Sequence, residues 1–234
     1  MCLVAVVLVS LSTAASAAEP DDAVTVEDGG VSFELKQADS GRSLLMISRG
    51  KQIVVGHCSE ESVTAVEDPA SDHKASVVVR NCGATTDFAT HVVLTNSVGL
   101  SKSIAVYAGK PQIDVSWNGG TLQISRPLLS SQAVFVESIE ASGVPVTYTE
   151  SRGAKGTTAP QVLEYSSFNY GATGRAAGIS KELLLRWAGW SQMASGLHRH
   201  EWGSWSGSPP YGDDPSGSMA ILRGTQYFET RFKK

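Results

Sequence analysis

Val77-Val78-Val79-Arg80-Asn81-Cys82-Gly83-Ala84-Thr85-Thr86-Asp87-Phe88-Ala89-Thr90-His91-Val92-Val93-Leu94 carries a β-branched run on each side of a polar cluster. β-Branched residues suit pleated strands and the Gly/Thr/Asp cluster supplies turn residues. The stretch therefore predicts two β-strands joined by a polar turn with a cysteine at its edge.

Upstream, Val24 and Val26, the break Asp28-Gly29-Gly30, and Val31, Phe33 and Leu35 alternate as two strands around a tight reversal. Asp39-Ser40-Gly41 breaks the chain before Leu44-Leu45-Met46-Ile47, and Arg49-Gly50 does so before Ile53-Val54-Val55. Such short spacings predict an antiparallel meander. Between Cys58 and Ala75 the acids Glu60, Glu61, Glu67, Asp68 and Asp72 surround Pro69, so that segment reads as a surface loop.

Downstream, Ser103 to Tyr107 predicts a shorter strand. Ile113, Val115 and Trp117 alternate with polar residues, Asn118-Gly119 supplies a positive-φ turn, and Leu122 and Ile124 continue the apolar face. Val134-Phe135-Val136 and Val144-Pro145-Val146-Thr147-Tyr148 close the body, with Pro145 marking an edge strand. The fold class expected is mostly β, an antiparallel meander, sandwich or open barrel of eight to ten short strands within residues 18–150.

Composition changes at Ser151. Twelve of the 23 glycines and four of the five tryptophans follow it, without strand alternation. Residues 151–234 therefore read as a Gly/Ser/Trp-rich tail, flexible or loosely docked and dispensable for the fold. Its one expected helix runs from the cap Ser180 to Trp190, with Leu183, Trp187 and Trp190 on one face.

The chain of 234 residues starts with an apolar, uncharged run, Met1 to Leu11, leading to Ala15-Ser16-Ala17. A small-x-small site after such a run predicts a cleaved signal peptide over residues 1–17, hence a periplasmic or secreted protein, soluble after signal removal. The rival is an uncleaved anchor, which the run's length, short of the ~20 residues a spanning helix needs, disfavours. After export Cys58 and Cys82 remain, and an even pair in an oxidising compartment predicts a disulfide. The rival there is a nucleophilic cysteine with His57 or His91 as its base.

Net charge is −4, made of an acidic body (−8 over residues 1–150) and a basic tail (+4 over 151–234). That asymmetry suits a tail that meets an anionic surface or its own body, and it is too mild for nucleic acid.

The run Arg80 to Val92, with Cys82-Gly83-Ala84-Thr85-Thr86 at its centre, is followed by Ile113-Asp114-Val115-Ser116-Trp117 and Leu122-Gln123-Ile124. Over residues 55–148 the chain resembles an uncharacterised family of small bacterial exported or lipid-anchored proteins that share a Cys-Gly-Ala-Thr-Thr core and a later Trp-containing strand. The resemblance implies an exported domain type and carries neither an activity nor catalytic residues.

Gly83, Thr85, Thr86 and Asp87 suit either a tight turn or an anion site built on backbone amides. Trp187, Trp190, Trp202 and Trp205 suit either an aromatic surface for a glycan or apolar partner, or a pin holding the tail on the β body. His198, His200 and Glu201 with Asp213 and Asp214 hold metal-ligating atoms, but zinc needs three or four that converge. No hydrolase, P-loop, metalloprotease or dinucleotide fingerprint is present, so no catalytic residue, cofactor or metal is assigned. The expected function is a non-enzymatic binding or structural module of the cell envelope. The alternatives are an envelope hydrolase using Cys82, Asp87 and His91, and a glycan-binding module using the tail tryptophans.

Overall fold

Alternating β-branched and polar residues build three sheets, and a helical C-terminal segment covers one of them. The computed structural model describes residues 23–28, 31–38, 41–83, 85–151 and 160–232. The signal peptide, Gly29-Gly30, Asp39-Ser40 and Ala84 lie outside the described residues.

The first sheet is the expected meander, β1 (Ala23–Asp28), β2 (Val31–Gln37), β3 (Ser43–Ser48) and β4 (Lys51–His57), paired in chain order. Arg49 and Gly50 both take positive φ in the β3–β4 reversal, as a two-residue turn of matching twist requires.

The second sheet runs β11-β8-β7-β6-β5, from β5 (Ser59–Glu67), β6 (Lys74–Asn81), β7 (Ala89–Thr95), β8 (Ser101–Ala108) and β11 (Val134–Glu137). Its centre is the β6–β7 pair expected from residues 77–94. β5 replaces the expected surface loop. Its outward Ser and Glu residues look like loop composition, yet an edge strand is solvated in this way, and a bulge between Ser62 and Thr64 twists it.

The third sheet runs β12-β13-β10-β9, from β9 (Asp114–Asn118), β10 (Thr121–Pro127), β12 (Glu140–Ala141) and β13 (Val144–Ser151). Gly119 and Gly120 hold the positive φ values of its hairpin, one residue beyond the Asn118-Gly119 expected. β10 and β13 pair in parallel, because the chain leaves β10, adds β11 to the second sheet and then returns. Pro145 is not on an edge strand. It faces the two-residue β12 and precedes the β10 ladder, which starts at Val146, so its missing N–H disturbs little. No sheet closes into a barrel among the described residues.

The second and third sheets form a sandwich around one core. Val77, Val92, Leu94, Ile104 and Tyr107 meet Leu122, Ile124, Val144 and Val146 there, and Trp117 packs half-buried at its margin. β7 is covered on its other face as well, where Ala89 joins a small cluster with Val106 and Leu197.

From Pro160 on, the described residues are helical rather than loosely structured, with three α-helices instead of one short one. These are α1 (Pro160–Ala176), α2 (Lys181–Ser195) and α3 (Pro215–Arg231). Ser180 caps α2 as expected, accepting from the Leu183 amide, and Gly196 ends it at φ +82°. Asp214 caps α3 through the Ser216 amide. α1 and α3 approach closely because Gly171 and Gly224 lie at their contact. A Cβ at Gly171 would overlap the Ile221 carbonyl, and one at Gly224 would overlap that of Phe168. Glycines that look like flexible tail in the sequence are the helix–helix interface.

α2 lies on the first sheet and makes a second core. Val26, Leu35 and Leu44 meet Leu183, Trp190 and Trp205 there, together with the bonded Cys58 and Cys82. Trp190 covers Gly56, where a Cβ would stand 2.6 Å from the ring.

Candidate functional site

The sandwich is open along one side, where β5 ends the second sheet and β9 ends the third. The two edges are tied at Trp117, whose indole N–H donates to the Val66 carbonyl at 3.3 Å. Beside that tie lies a groove of about 550 Å³. Val77, Val79, Ile113 and Val115 give it apolar walls because strand alternation turns these residues towards the sandwich interior. Glu61, Thr64, Gln112 and Asp114 bring polar groups to its margin. Lys110 also lines it, its ammonium held 4.0 Å above the Phe88 ring. Sequence reading missed this groove because β5 was read as loop, so no second edge faced β9.

The predicted site residues go elsewhere. Cys58 and Cys82 form the expected disulfide. That bond takes the thiol a nucleophile would need, and the other two members of the hydrolase set are also engaged. His91 is buried, with Nε2 donating to the Ser195 carbonyl at 2.8 Å and Nδ1 facing the Ser103 hydroxyl at 3.0 Å. The Asp87 carboxylate accepts from the Phe88 amide at 2.8 Å. His57 stands exposed against Ser43.

In the Cys82 turn Gly83 is exposed at φ +118°, and its amide donates to the Asn81 side chain at 3.1 Å. Thr85 is half-buried, while Thr86 and Asp87 are buried. The amides an anion would need at Gly83 and Phe88 are thus taken by Asn81 and Asp87.

Trp190 and Trp205 are fully buried in the second core, and Trp187 packs against it half-buried. They pin the helices onto the first sheet, since an indole's large apolar area favours burial. Trp202 alone lies apart, half-buried edge-on to His198 at 6.1 Å. The four rings therefore form no common surface. His198 is bonded to the Gly203 carbonyl and Asp213 to the Ser218 hydroxyl, and no three His, Cys, Asp or Glu groups converge among the described residues.

Three polar residues hold these parts together; in the sequence Arg80 and Arg186 had no assigned role and Asp213 was read only as a candidate metal ligand. Arg80 donates to the Ala194 carbonyl at the end of α2 and pairs with Glu60 at 2.7 Å. Arg186 pairs with Glu182 one turn earlier, donates to the Trp205 carbonyl and stacks 4.3 Å from the Tyr211 ring. Its i, i+4 spacing to Glu182 was the only signal in the sequence. Asp213 is buried beside α3, and desolvation pushes its carboxyl up to about 7 despite the bond from Ser218.

No family model, curated protein or solved structure matches this chain.

Proposed function

We propose that the protein is exported and serves in the cell envelope as a non-enzymatic binding module, with its ligand in the groove between β5 and β9. The observation that carries this reading is the groove itself, apolar within, charged at its margin and flanked by two strand edges that have no further strand beside them among the described residues. Such edges present backbone N–H and C=O groups at strand spacing, which suits an extended peptide segment of an envelope partner. Export is supported by the Cys58–Cys82 disulfide, by the apolar residues before Ala15-Ser16-Ala17, and by the resemblance to small exported proteins.

The test combines processing with binding. Protein recovered from periplasm or medium should begin near Ala18 and carry the Cys58–Cys82 bond by mass spectrometry; a reduced chain retained in the cytosol would contradict export. A screen of extended peptides by fluorescence polarisation should yield a binder whose affinity falls about tenfold or more in Val63→Arg and Lys110→Glu, two exposed positions lining the groove. Absence of any binder, or binding indifferent to both changes, would overturn the assignment.

A further inference from the structure

The α1–α3 pair leaves aromatic side chains in water at the C-terminal end of α3. Phe168 lies 5.7 Å from Tyr227, Tyr227 lies 5.9 Å from Phe232, and Phe232 stacks 5.9 Å from Phe228, so the four rings are continuous. Tyr227 is 45% and Phe232 63% exposed, and Tyr165, one turn before Phe168 on α1, is 68% exposed. Isolated exposed rings need no explanation, but a continuous cluster of this kind marks a contact surface.

The charge described beside the cluster, at Arg231, is positive. Arg231 is exposed beside Phe232, and Lys233 and Lys234 follow in the sequence. The nearby acid, Glu229, is already neutralised by Arg175 at 2.9 Å and Lys181 at 2.8 Å. Glu164 is likewise matched by Arg223.

We propose that this aromatic and cationic end of the helix pair docks on an anionic lipid bilayer surface. Aromatic rings favour the headgroup boundary, and flanking Arg and Lys side chains reach lipid phosphates from the same depth. Long-range charge orients the molecule the same way, since the basic tail is drawn to an anionic surface that repels the acidic body. A second copy suits the patch less well, because a two-fold contact would bring Arg231 towards its own copy.

Co-sedimentation of the purified, disulfide-bonded protein with vesicles tests this. Binding is expected to vesicles of phosphatidylglycerol and phosphatidylcholine, to weaken in high salt, and to be minor on phosphatidylcholine alone. Phe232→Ser and Arg231→Glu should each lower the bound fraction several-fold, and Arg231→Glu, at an exposed position, should leave the circular dichroism spectrum unchanged. No binding to the anionic vesicles, or binding unaffected by both substitutions, would overturn the proposal. A dimer seen by light scattering that the same substitutions dissociate would assign the patch to a second copy instead.

Discussion

Trp190→Ala is expected to lower the protein's stability by about 4 kcal/mol, among the larger losses a single core truncation produces. The ring is 0% exposed, lies on Gly56 of β4, and shares its core with Val26, Leu35, Leu44, Leu183 and Trp205. Its removal would leave a cavity that strands and helix cannot both close around. The Trp190 indole N–H has no hydrogen-bond partner, so its contribution is packing rather than polar contact. Trp190→Phe should therefore cost much less, about 1–2 kcal/mol. Urea unfolding of the three proteins measures both differences, and a loss under about 1 kcal/mol in Trp190→Ala would mean that the helix does not cover the sheet.

The second large effect is a pair of opposing pH dependences. Burial, with Arg80 nearby, pulls His91 down to about 4, so the neutral ring is the native form. Between its ordinary value of 6.5 and about 4 the unfolded chain binds the proton and the folded chain does not. This contribution is complete above pH 6.5 and disappears as pH falls to 4, a change of about 3 kcal/mol. Asp213 acts in the opposite sense. Its carboxyl is raised from 3.8 to about 7, so the folded chain holds the proton longer and stability falls as pH rises through that interval. The two nearly offset between pH 4 and 6.5 in the native protein. Asp213→Asn should then unmask a steep acid loss, and His91→Gln a decline towards neutral pH. Glu229, held low by Lys181 and Arg175, acts only below 4.5. Urea midpoints at several pH values decide the matter, and an Asp213→Asn curve that stays flat from pH 6.5 to 4 would contradict the burial of a neutral His91.

What could be read from the sequence follows from where each residue's environment is local. The first meander, the β6–β7 pair and the Trp117 hairpin were legible because β-branched and apolar runs of strand length are separated by turn residues, even where, as in β7, both faces are buried. The disulfide was legible because, with Cys2 assigned to the expected signal peptide, the other two of the three cysteines have one pairing. β5 was not, since Ser59, Glu60, Glu61 and Ser62 face water along an edge and carry no alternation. α1 and α3 were not, because Gly171 and Gly224 serve a close helix contact that only the partner helix reveals. The parallel β10–β13 pairing depends on a crossover, and no local pattern encodes it. The groove depends on two edges 51 residues apart in sequence, as the Val66–Trp117 tie indicates. Trp187, Trp190, Trp202 and Trp205 could be read as platform or as pin, and only the geometry of the second core separates the two.

The measurement that bears most directly on this account is unfolding followed by two signals at once. Four of the five tryptophans lie after residue 151, so fluorescence reports the helical segment, while far-ultraviolet circular dichroism in the strand region reports the sheets. If α2 and the first sheet share one core, the two curves coincide in urea, with one midpoint and one slope. A fluorescence transition completed at lower urea, with the strand signal still native, would show that the helices melt from an independent β body.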